Sequence, residues 1–340
     1  MESDVRRIMN DTLIYRTYFS VGRFHWIFNY SSGPIVYAIG LLISAVTGDF
    51  SKFITDYPWV CLAIAITMAT LGIRLAEIHG RSTIAIRSAL NITDEEFRKL
   101  LEANIRRLGS GRNVVFGLAF LPALFWALTQ RLWWRGYTQP TVFDIYYLTL
   151  LSIILLTYAG FMFSAAVSCN QNVYMICERT PTNREYLLNE GLPILKRCWG
   201  GLILRSSMLA LVMSTLTNAP ILLYSGSVGL LANLGMALAL TTLIFVVPHY
   251  MFHRLLERAK EETLTDVSEK LKRLGTAEQP SKGDAWDLNS VKTMLDKIYL
   301  TQYEIALRTR RTWLADLEMV VGLLAVVSSL QGILNVLVQH

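Results

Sequence analysis

The chain has 340 residues, 53% of them hydrophobic and 17% charged, with a formal net charge of +6. Soluble domains average about 25% charged residues, and the deficit here is gathered into long apolar runs, the pattern of a membrane protein rather than of a large soluble core. The basic balance then reads as the Lys and Arg of inner loops and not as a nucleic-acid footprint.

Crossing roughly 30 Å of hydrocarbon takes about 20 apolar residues. On that measure the sequence predicts seven spans, at 27–47, 58–78, 113–133, 143–168, 201–224, 227–250 and 317–338. The N-terminal stretch before them lacks an apolar core followed by a small-residue cleavage site, so no cleaved signal peptide is expected. Arg6, Arg7, Arg16 and Arg23 precede the first span, and seven basic residues lie between the second and third. Four more separate the fourth and fifth, and twelve the sixth and seventh, against Lys52, Arg131 and Arg135 on the opposite side. That asymmetry places the N-terminus inside and the C-terminus outside. The expected fold is an all-α integral membrane protein with seven transmembrane helices, a multi-pass protein of the plasma membrane. Residues 1–250 hold six spans, 251–315 a cytoplasmic helical anchor, and 316–340 the last span.

The inner connections are long and read as helical. Thr93 followed by Asp94, Glu95 and Glu96 is an N-cap with an acidic first turn, opening a helix to about 108. The fourth helix is expected to continue through Cys169, Asn170, Gln171 and Asn172 to about Arg179, and the fifth to begin near Asn183. The sixth runs through His253 to about Leu274, where Gly275–Gly283 with Pro280 break it. A further helix from Asp287 or Asn289 to about Arg311 carries Val291, Met294, Leu295, Ile298, Tyr299, Ile305 and Ala306 at three- and four-residue spacing, so one face should be buried against a partner.

No P-loop, GxSxG, HExxH or Cys/His metal cluster is present, and the chain does not read as an enzyme or as a cofactor binder. Cys61, Cys169, Cys177 and Cys198 read as buried small hydrophobes without a disulfide. His249 and His253 lie four apart, as an interfacial cluster or, in the alternative, a pH-sensing element. In the last span Ser328, Gln331 and Asn335 share one face, which continues through Val321 and Leu324, while Gly322, Ala325, Ser329 and Gly332 form a stripe of small residues. The polar face turns to water, or hydrogen-bonds to neighbouring helices within one subunit. Asp316 and Glu318 stand at the mouth of this span, as cation-attracting groups or as solvated partners of nearby arginines. Trp126, Tyr146 and Tyr147 belong to an aromatic belt or line an outward-facing ligand pocket.

Seven spans, an inside N-terminus, long fourth to sixth helices and a helix directly before the last span together resemble the seven-transmembrane ion channel superfamily typified by insect odorant and gustatory receptors, and look more like a divergent, microbial member than an insect receptor. The nearest feature to that family's last-helix aromatic-glutamine signature is Ser328-Ser329-Leu330-Gln331. The resemblance implies a homotetrameric, ligand-gated, cation-permeable channel in the lipid bilayer, opened by a small molecule. It implies a pore lined by Val321, Leu324, Ser328, Gln331 and Asn335. A secondary transporter and a membrane-anchored interaction protein built on the inner helices are the competing readings.

Overall fold

A computed structural model describes residues 2–12, 25–55, 74–109, 163–212, 239, 242–276, 288–314 and 320. These residues are almost entirely helical. In chain order they form α1 (Glu2–Asn10), α2 (His25–Thr47), α3 (Phe50–Thr55) and α4 (74–85). Then come α5 (Asp94–Leu108) and α6 (Phe163–Tyr174), the latter prolonged by a π-helical turn over Met175–Arg179. Helix α7 starts at Arg184–Tyr186, passes through π-helical turns at Leu187–Gly191 and Lys196–Gly200, and continues to 212. Helix α8 opens with a further such turn at Thr242–Val246 and runs straight through Val247–Thr276, and α9 spans Leu288–Thr309.

Among the described residues no helix is long and apolar enough to cross a membrane. This overturns the expected seven-transmembrane fold, and with it the multi-pass and plasma-membrane assignments and the channel and receptor descriptors that depended on them. The first expected span, 27–47, lies within α2, but Asn29, Tyr30, Ser31, Ser32 and Pro34 occupy its opening half. The apolar remainder, 35–46, reaches only about 18 Å at 1.5 Å per residue, short of the roughly 30 Å needed. Of the others, the first half of 201–224 is a core helix, with Leu202, Ile203, Ala210 and Leu211 buried within the protein. Most of 58–78, 143–168 and 227–250, and essentially all of 113–133 and 317–338, lie outside the described residues.

The helices that the inner segments predict are present. Thr93 caps α5 in both directions. Its hydroxyl accepts from the Glu96 amide at 3.3 Å, and its own amide donates to the Glu96 carboxylate at 2.8 Å. Asn183 caps the start of α7, its carboxamide oxygen accepting from the Tyr186 amide. The loops before these two caps are joined. Asn91 donates to the Pro181 carbonyl at 2.8 Å, and Asn183 donates to that of Ala89 at 2.9 Å. Arg87 pins its own loop through the Leu90 and Ile92 carbonyls and the Asp94 carboxylate.

The core forms where α4, α5, α6, α7 and α8 meet, with α1 laid across α4 and α5. Gly80 permits that crossing: a Cβ there would stand 2.8 Å from a Val5 methyl. Trp199 is the largest fully buried side chain among the described residues. It rests 5.3 Å from the Phe252 ring centroid and sends its indole N–H to the Ser82 carbonyl at 3.1 Å, which satisfies the one polar atom that burial would otherwise strand.

Replacing Thr93 by Ala removes the hydroxyl's half of the cap, leaving the main-chain amide still able to reach Glu96, and should lower the stability of the full chain by about 1 kcal/mol in urea unfolding. Thr93→Ser keeps the oxygen and should restore most of it.

Candidate interaction surface

Three places were candidates for function: a buried polar cluster, a charged cleft, and the outward face of α9.

The cluster centres on Asn172, which has no solvent exposure. Arg107 Nη1 donates to its Oδ1 at 3.2 Å, which identifies that atom as the oxygen. Its Nδ2 therefore donates, to the Asn104 carbonyl at 3.2 Å and to His79 Nε2 at 3.0 Å. An accepting Nε2 puts the imidazole proton on Nδ1, and Nδ1 faces Cys169 Sγ at 3.7 Å. The His79 ring also meets Trp199 edge-on at 4.8 Å. Nucleophilic cysteines need a base that takes the thiol proton, whereas here the imidazole already points its proton at sulfur. Burial reinforces the neutral forms. It lowers the pKa of His79 from 6.5 to about 4 and pushes the Cys169 thiol up to about 12. The cluster is a hydrogen-bond network, with His79 and Cys169 in their neutral forms, that orients α4, α5, α6 and α7, and it offers no activated thiolate.

The cleft, about 680 Å³, lies between the 177–185 turn and α8. Its opposite charges pair across it, Glu178 with Arg258 and Arg184 with Glu262, each at 2.6 Å. These bridges staple α6 and α7 onto α8, leaving little unbalanced charge to attract a ligand.

Helix α9 has two apolar faces. Leu300, Tyr303 and Leu307 turn inward to α8, and Leu307 is fully buried. On the other side Met294, Leu295, Ile298, Tyr299 and Ile305 are 52%, 60%, 46%, 67% and 59% exposed. The spacing predicts that this face is buried against a partner; among the described residues it is exposed instead. A second exposed apolar row, Ile35, Ile39, Leu42 and Val46, runs along α2.

The residues just beyond α9 are clamped to the body. Lys260 donates to the Arg308 and Arg310 carbonyls, each at 3.2 Å, closing the helix C-terminus with a cation. Thr312 donates to Glu257 and accepts from His253 Nδ1, while the His253 ring stacks on Trp313 at 4.2 Å. Arg310 Nη1 donates to the Leu188 carbonyl. That acceptor is free for a local reason. In an i→i+5 turn its donor would be residue 193, which is proline and has no N–H.

His249 does not join His253 in a site. It is buried, donates from Nδ1 to the Phe245 carbonyl at 2.7 Å, and loses basicity chiefly through desolvation. The expected pore residues Val321, Leu324, Ser328, Gln331 and Asn335, the mouth residues Asp316 and Glu318, and the pocket residues Trp126, Tyr146 and Tyr147 all lie outside the described residues. The cluster around Asn172 went unseen in the sequence because its members come from four distant segments. The polar run Cys169–Asn172 was its one local signal. Comparison with protein-family models, curated proteins and solved structures gives no match.

Because His79 binds its proton less readily folded than unfolded, its contribution is intact above about pH 6.5 and lost as pH falls toward about 4. The expected loss is about 3 kcal/mol, measured by urea unfolding at stepped pH. His79→Gln should flatten that part of the profile. Arg310→Met strands the Leu188 carbonyl and should cost about 1–3 kcal/mol, seen first as faster amide exchange in 310–314.

Proposed function

We propose that this protein works as a self-association module, in which the α4–α8 body holds α9 out as a helical docking surface for a second copy of the chain. The observation that carries the reading is the pair of opposed apolar faces on α9. One packs on α8, and the other is left exposed among the described residues. Scattered exposed apolar residues are ordinary, but a continuous stripe on one helix marks a contact surface.

The stripe has the spacing of a helix-pairing seam. Met294, Ile298, Thr301 and Ile305 succeed one another at intervals of four, three and four residues, the alternation of a and d positions in a heptad. Its presentation supports the same reading. Lys260, Arg310, Thr312 and Trp313 hold the end of α9 against α7 and α8, so the seam is displayed by a fixed helix rather than by a swinging one. Pre-ordering of that kind lowers the entropy lost on association.

Ile298→Asp places a charge in the middle of the seam without touching the α8 contact. Sedimentation of the purified full chain should show self-association weakened by about 30-fold or more, the ratio for about 2 kcal/mol, with helicity unchanged. Wild-type association in both Ile298→Asp and Leu295→Asp would overturn the proposal.

A further inference from the structure

The charges beside the seam choose between the two ways in which two copies of α9 can lie together. We infer that they pair antiparallel about a two-fold axis, with Lys297 of each copy set against Glu304 of the other.

With Ile298 and Ile305 at a positions and Met294 and Thr301 at d positions, Lys297 and Glu304 both fall at g, on one flank of the seam. In a parallel pair, flank g of one helix meets flank e of the other. Lys297 would then face Gln302, and Glu304 would face Thr309, so neither charge would find its opposite. In an antiparallel pair, g meets g. Met294 then lies opposite Ile305 of the second copy and Ile298 opposite Thr301, and the same register sets Lys297 beside Glu304 twice by symmetry. Flank e contributes Leu295 opposite Gln302, an apolar cover at each end of the seam. A two-fold contact of this kind is self-complementary and closed, so it makes dimers and not filaments.

The charges themselves suit the role. Lys297 is exposed and makes no ion pair among the described residues. Glu304 is held on its own helix by Arg308, at 2.7 Å, which fixes the carboxylate on the flank that the second copy would meet. The partner is thus recognised by its sign pattern as well as by its apolar seam.

The inference rests on the self-association reading, and the test separates the two. Lys297→Glu and Glu304→Lys are made singly in the full chain, with helicity checked by circular dichroism. Each single variant sets like charges together twice in its own dimer and should weaken self-association about 10-fold. An equimolar mixture of the two should recover near wild-type association as a heterodimer, because every 297–304 contact is then of opposite sign. The double variant Lys297→Glu/Glu304→Lys should recover it alone. A mixture no tighter than its components, while Ile298→Asp still dissociates the protein, would overturn the antiparallel pairing and leave the module standing. Unchanged association in Ile298→Asp and Leu295→Asp would remove both.

Discussion

Asn172 has no contact with solvent, and its three hydrogen bonds reach α4 through His79 and α5 through the Asn104 carbonyl and Arg107. An unpaired carboxamide in a protein interior costs several times what a satisfied one contributes. Only one arrangement of α4, α5 and α6 satisfies it, and His79, held there, receives the edge of Trp199 from α7. Apolar packing alone would tolerate sliding between these helices. Directional bonds at their centre do not, so the network supplies the registry on which the rest is stacked. Asn104 sits beside it with both side-chain polar atoms unpartnered and fully buried, a local cost borne by that registry.

Helix α9 depends on this body and faces away from it. Its inner residues complete the packing against α8, and the residues after it return to α7 and α8 through main-chain carbonyls as well as side chains. The result is a helix whose position is set from both its flank and its end, while its second apolar face is exposed among the described residues. The packed face and the exposed apolar face are therefore separated on one element, by a half-turn of helix.

Local chemistry was legible in the sequence wherever a signal and its effect lie within a few residues. The Thr93–Glu96 pair, the Asn183 start, the long run of α8 and the extent of α9 all come from caps, breakers and periodicity. Hydropathy was misleading because a window of apolar residues reports that a helix is buried and not what buries it. Leu202, Ile203, Ala210 and Leu211 satisfy that criterion inside a protein core. The His79–Cys169 meeting, 90 residues apart in the chain, and the exposure of the outer face of α9 among the described residues are properties of tertiary arrangement, and no spacing rule encodes them.

The π-helical turn before Pro193 has a consequence for how the molecule could be altered. A residue with an N–H at 193 would let the backbone of α7 compete for the Leu188 oxygen that now receives Arg310. Perfecting the helix at that point would weaken one of the ties on the chain that trails from α9, which Lys260, Thr312 and Trp313 also hold, so an irregularity in one element contributes to the mooring of another.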